Sequence, residues 1–158
     1  MGTKTLQKGA IGESACYLSE QSMAQDLCAF VTCRRGPVYC HGITSEFDYA
    51  AGRADLVGVG DDDALHAFEA KLHKWRKALD QARRNTCFAH YSYVALPERA
   101  ASTALKAKDE FRRHGVGLVV LNGSDAKLLI RPRRNSPLLP WLTKAALSLL
   151  CPNYDAIK

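Results

Sequence analysis

The chain has 158 residues, of which 47% are apolar and 24% charged, enough for one domain with a proper core and unlike a disordered or fibrous composition. A formal net charge of +6 and a pI near 9.1 favour an anionic partner, for which nucleic acid is the usual choice. No apolar run approaches the ~20 residues that cross a bilayer, and Met1 to Gly12 lacks the apolar stretch of a secretory signal, so the expected setting is the cytoplasm, with no membrane partner.

In chain order, a first helix is expected over about Thr5 to Ser22, with Ile11, Ala15 and Leu18 on one apolar face and Glu13 and Tyr17 on another. Cys28 to Thr32 (CAFVT) reads as a strand closed by the turn signal Arg34-Arg35-Gly36-Pro37. Val38 to Arg53 reads as an irregular segment carrying the acids Glu46 and Asp48. Ala54 to Val59 and Leu65 to Leu72 are short apolar runs on either side of Gly60-Asp61-Asp62-Asp63, a β-hairpin by its chemistry. A helix over about Lys74 to Thr86 follows. Trp75, Ala78, Leu79 and Ala82 form its inner side, and Lys74, Lys77, Gln81 and Arg84 recur with the same period on another.

Tyr91 to Leu96 is a strand and Glu98 to His114 a helix, with Gly115 as its C-cap. Gly117 to Leu121 and Lys127 to Ile130 pair around Asn122-Gly123, a strong hairpin turn. After the basic cluster Arg131 to Arg134, the apolar segment Leu138 to Leu150 is expected to pack as a C-terminal helix or to serve as a dimer contact. The succession predicts one α/β domain over residues 1–158, a mixed sheet with helices covering its faces.

Six cysteines (Cys16, Cys28, Cys33, Cys40, Cys87, Cys151) read as free thiols that behave as small buried hydrophobes. Cys28, Cys33, Cys40 and His41 offer an alternative zinc site, although no C-x-x-C pair is present. His66, on the apolar face of its strand, reads as structural, and Trp75 as core.

The chemistry concentrates in the first hairpin. Glu69 and Lys71 lie two positions apart in a strand and so project to one face, while Phe68, Ala70 and Leu72 take the other. Asp55 on the neighbouring strand lies across from them. Two carboxylates converging from adjacent strands make a hard-oxygen site suited to Mg²⁺, which activates water and stabilises phosphoryl charge. An ion pair on the surface of an edge strand would give the same pattern, as would chance, since an Asp followed by Glu-x-Lys is a common motif.

Asp55, then Glu69-Ala70-Lys71, then helix, strand, helix and strand, resembles the PD-(D/E)XK (restriction endonuclease-like) nuclease superfamily. Lys8-Gly9-Ala10-Ile11-Gly12-Glu13-Ser14-Ala15 resembles the first helix of its Holliday junction resolvase-like members. The resemblance covers roughly residues 5–132. It implies an α-β-β-β-α-β-α-β-β core, Asp55 and Glu69 as metal ligands with help from Glu13, Lys71 as the catalytic lysine, and Gln81 beside the site. The implied activity is metal-dependent hydrolysis of DNA phosphodiesters with Mg²⁺, for which Mn²⁺ can substitute. Ala54 replaces the proline of the motif, and Asn85 stands where the RecB-like branch carries a tyrosine. The turn acids Asp61, Asp62 and Asp63 match nothing in it.

Phosphate contacts are expected from Arg34, Arg35, Arg53, Lys74, Lys77, Arg84, Arg131, Arg133 and Arg134. A homodimer would match duplex or junction symmetry. The alternatives are a catalytically inactive nucleic-acid-binding or scaffold module of the same fold, and a nuclease acting on RNA.

Overall fold

A computed structural model describes residues 17–153. Its elements are α1 (Glu20–Val31), β1 (Gly42–Tyr49), β2 (Gly52–Val59), β3 (Leu65–Ala70), α2 (Trp75–Asn85), β4 (Tyr91–Pro97), α3 (Glu98–Leu105), α4 (Lys108–His114), β5 (Gly117–Leu121), β6 (Ala126–Ile130) and α5 (Pro140–Leu150). The strands form one six-stranded sheet in sequence order. β1, β2 and β3 are an antiparallel meander, β3, β4 and β5 run parallel, and β6 returns antiparallel to β5. This is the α/β mixed sheet expected from the sequence.

Helices cover both faces. Trp75, Ala78, Leu79 and Ala82 of α2 pack with Phe111 of α4 against Val94, Leu96, Leu118 and Val120. On the opposite face Met23, Leu27 and Val31 of α1 meet Leu56, Phe68, Tyr93 and Val119. α5 lays Leu142, Ala146 and Leu147 near Val57, Val59 and Phe88. Burial of β4 and β5 is nearly continuous, as befits parallel strands covered on both sides.

Four local expectations change. The strand expected over Cys28 to Thr32 is the last turn of α1 and its cap. Met23, Leu27 and Val31 are buried four residues apart, and that helical stripe overrides the strand-like run. The helix begins at Ser19, whose hydroxyl accepts from the Ser22 N–H at 3.1 Å. Consequently Cys28 is half-buried and Cys33 exposed, and only Cys40 of the three is a buried thiol. The segment expected to be irregular is β1, with Phe47 and Tyr49 packed beside Phe88, while Glu46 and Asp48 point to solvent.

The helix expected over Glu98 to His114 breaks between α3 and α4, where Ala107 and Glu110 donate to carbonyls three residues back. Gly115 caps α4 with φ +67°, as expected. Pro140 opens the C-terminal helix expected in that segment. Most of the first expected helix, Glu13 included, lies outside the described residues.

Candidate active site

β2 and β3 pair with Leu56 opposite Phe68; one step further along that register, Asp55 comes level with Glu69. Asp55 Oδ2 accepts the Ala70 N–H at 2.8 Å, which fixes it to the strand that bears Glu69. The charge of Asp55 therefore acts on the Glu69 carboxyl. Glu69 is 0% exposed and lies on the third of six strands, so the pattern is not a surface ion pair on an edge strand. Just past β3, the Lys71 N–H donates to the Ala95 carbonyl. Its Nζ lies 4.0 Å from Asp55 Oδ2 and 3.5 Å from Glu20 Oε2.

Asn85 completes the group from the last turn of α2. Its amide nitrogen donates to Glu69 Oε1 at 2.7 Å, and its oxygen accepts from the Tyr49 hydroxyl. Glu69 Oε2 is buried with no protein partner. Burial, then the negative charge of Asp55, push the Glu69 carboxyl up to about 8, against the opposing pull of Asn85 and Lys71. Burial foremost raises Tyr49 to about 12, so it remains a hydroxyl donor. Two adjacent carboxyls, one with an orphaned oxygen, form a site that a cation would complete, and Mg²⁺ takes only one or two carboxylates while keeping several waters. Among the described residues no three His, Cys, Asp or Glu side chains are grouped to hold a metal, so the donor set fits an ion that relies on water for its remaining positions.

The other expected residues divide. Gln81 is half-buried with its Oε1 buried and unpartnered, one turn before Asn85 on the same helix face. Lys74, Lys77 and Arg84 are exposed on the stripe that Gln81 shares. Arg53 grips Asp48 through two nitrogens at 2.6 and 3.3 Å. Arg34 pairs with Asp61 at 3.6 Å and Arg134 with Asp62 at 3.2 Å, so the turn acids hold arginines. Arg35, Arg131 and Arg133 are exposed, with the Arg133 guanidinium lying against Gly115. Cys28, Cys33, Cys40 and His41 are not grouped as a metal site. Burial pushes the Cys40 thiol up to about 12, which opposes the thiolate that zinc requires.

Sequence reasoning missed Glu20, Asn85 and Tyr49. Asn85 was visible only as a departure from a motif. Glu20 had a signal in Ser19-Glu20, an N-cap followed by a first-turn acid, which the expected helix ending at Ser22 concealed.

No family model and no curated protein matches the sequence. Among solved structures, a protein of unknown function from Silicibacter pomeroyi is similar, with a TM-score of 0.51 at 19% identity, over 74% of this chain and 77% of that one. The likeness is one of fold. No helix among the described residues is long and apolar enough to cross a membrane.

Proposed function

We propose that the protein is a metal-dependent DNA endonuclease of the PD-(D/E)XK, restriction endonuclease-like kind. The observation that carries this reading is the Asp55–Glu69 carboxyl pair on two adjacent strands, with an orphaned buried oxygen and the Lys71 ammonium 4.0 Å from Asp55. The succession of helix, three-stranded meander, helix and parallel strand supports it.

Asp55 and Glu69 would hold Mg²⁺ or Mn²⁺, which supplies Lewis-acid stabilisation of the phosphoryl group and lowers the pKa of an attacking water. Asn85 fixes the plane of the Glu69 carboxyl, and burial keeps bulk water from it. Lys71, steadied by Asp55 and Glu20, presents its ammonium to the attacking water or to a phosphate oxygen. Gln81 offers an acceptor one turn from Asn85. Lys74, Lys77 and Arg84, exposed along the same helix, contact the phosphate backbone independently of sequence. Leu138, Trp141 and Leu149 are exposed at and around α5, and this segment would serve as a homodimer contact, which sedimentation would reveal.

The test is cleavage of labelled linear, branched and single-stranded DNA, and of RNA, by wild type and Glu69→Ala in Mg²⁺, Mn²⁺ and EDTA. Metal-dependent cutting lost in the variant is the expected result. One observation favours a second reading, a non-catalytic DNA-binding module: Lys71 already pairs with both Asp55 and Glu20, leaving the site partly neutralised. DNA binding without cutting on any substrate would establish that reading instead.

A further inference from the structure

A concavity lies on the face of the sheet away from Glu69. His66 and Phe68 alternate with Glu69 along β3 and so point away from it, and His66 is roughly 10 Å back along the strand. The cavity has a volume of about 470 Å³, within the roughly 300–1,000 Å³ of small-molecule sites. Its lining includes Tyr39, His66, Tyr91, Tyr93, Asp62 and Arg131.

We infer that this cavity is a nucleobase-binding site, taking a base with an exocyclic amino group and directing the attached phosphate toward Arg131. The aromatic wall is a stacked set: the His66 ring lies against Tyr91 at 4.9 Å and 21° and Tyr93 at 5.8 Å and 16°, and Tyr93 in turn against Phe68, so the Tyr91 face over which Arg134 lies is the one a base would use. Planar groups already stack at its rim, with the Arg134 guanidinium 5.5 Å from the centre of the Tyr91 ring and Arg34 4.5 Å from that of Tyr39. A base stacking on Tyr91 or Tyr39 would take the place of these guanidinium groups.

The polar groups set the preference. Asp61 and Asp62 line the cavity; Asp61 pairs with Arg34, and Asp62 with Arg134 and the Ala64 N–H, and each carboxylate keeps further acceptor capacity. Carboxylates accept from base amino groups; uracil and thymine have none. His66 Nδ1 shares a hydrogen bond with the Tyr93 hydroxyl at 3.0 Å, and burial lowers the imidazole to about 4, so the wall is uncharged at neutral pH. Arg131 is exposed and takes part in no ion pair among the described residues, which leaves it for a phosphate. Gly60 brings the β2–β3 turn against the ring, since a Cβ there would meet His66 Nε2 at 3.0 Å.

This goes beyond the cleavage reading and does not need it. The experiment is isothermal titration in EDTA of wild type and Glu69→Ala with GMP, AMP, CMP and UMP, and with trinucleotides carrying each 5′ base. Saturable binding, at least tenfold weaker for UMP and the same in both proteins, is expected. Tyr91→Ala should weaken it by roughly 5- to 150-fold; Arg131→Ala, at an exposed position that folding does not need, should weaken nucleotides but not nucleosides. Tighter binding of trinucleotides would identify the ligand as a strand end, and equal binding as a free nucleotide. Absence of binding at millimolar ligand, equal affinity for UMP, or indifference to Arg131→Ala would overturn the inference. Cleavage by the wild type in Mg²⁺ would stand unaffected.

Discussion

Replacing Glu69 by Gln should make the protein more stable, by an amount that grows with pH. The side chain is fully buried, and its carboxyl ionises near 8 when folded against an ordinary 4.5. Below pH 4.5 both folded and unfolded chains carry the proton, and the group contributes no pH dependence. As pH rises the unfolded chain releases the proton while the folded chain keeps it, so stability falls until the folded group also ionises, and is level above that. The cost is about 1.4 kcal/mol per pH unit, or about 3 kcal/mol by pH 7. Glutamine is isosteric, keeps an oxygen for the Asn85 amide, and is never charged. Because Asp55 shares the charge, a gain of about 1–3 kcal/mol is expected, or about 2–10 °C in Tm for a chain of this length. Denaturation of both proteins from pH 4.5 to 9 measures it. A gain that does not change with pH, or a loss at pH 7, would show that Glu69 is not held protonated by burial and Asp55. Adding Mg²⁺ at ten times its Kd should then stabilise the wild type by about 1.4 kcal/mol and the variant far less.

Three other outcomes follow from the same geometry. Asn85→Ala strips Glu69 Oε1 and the Tyr49 hydroxyl of their partner and should cost about 1–3 kcal/mol in urea denaturation. Lys71→Met should abolish cleavage while leaving DNA affinity within a few fold, read by gel shift beside the nuclease assay. Alanine at Lys74, Lys77 and Arg84 together should weaken DNA binding for all sequences alike and reduce the salt slope by about one per lost phosphate contact; an unchanged slope would place DNA elsewhere.

Where one signal governed an element, the sequence was legible. The meander strands β2 and β3, the amphipathic α2 and the Asn122-Gly123 hairpin were read from period and turn chemistry alone. Local composition misled where tertiary packing decided. The run CAFVT is strand-like, yet burial of Met23, Leu27 and Val31 against Phe68 and Val119 requires helix. β1 looked irregular because its solvent-facing residues are acidic, and nothing local shows that Phe47 and Tyr49 meet Phe88. Asp55, Glu69 and Lys71 were visible through strand alternation. Asn85 and Tyr49 were not, because their relation to Glu69 depends on how α2 and β1 dock against β3.

The short chain from Tyr49 through Asn85 to Glu69 has a direction. The Tyr49 hydroxyl donates to the Asn85 oxygen and the Asn85 amide nitrogen donates to Glu69 Oε1, so Oε1 accepts. The proton held by Glu69 therefore belongs on Oε2, the oxygen with no protein partner. Any cation entering there must evict that proton. Uptake should release close to one H⁺ per ion near neutral pH, and affinity should climb almost tenfold per pH unit until the pair is fully ionised. A single hydrogen on Glu69 thus opposes cation uptake at neutral pH, and a rise in pH relieves that opposition.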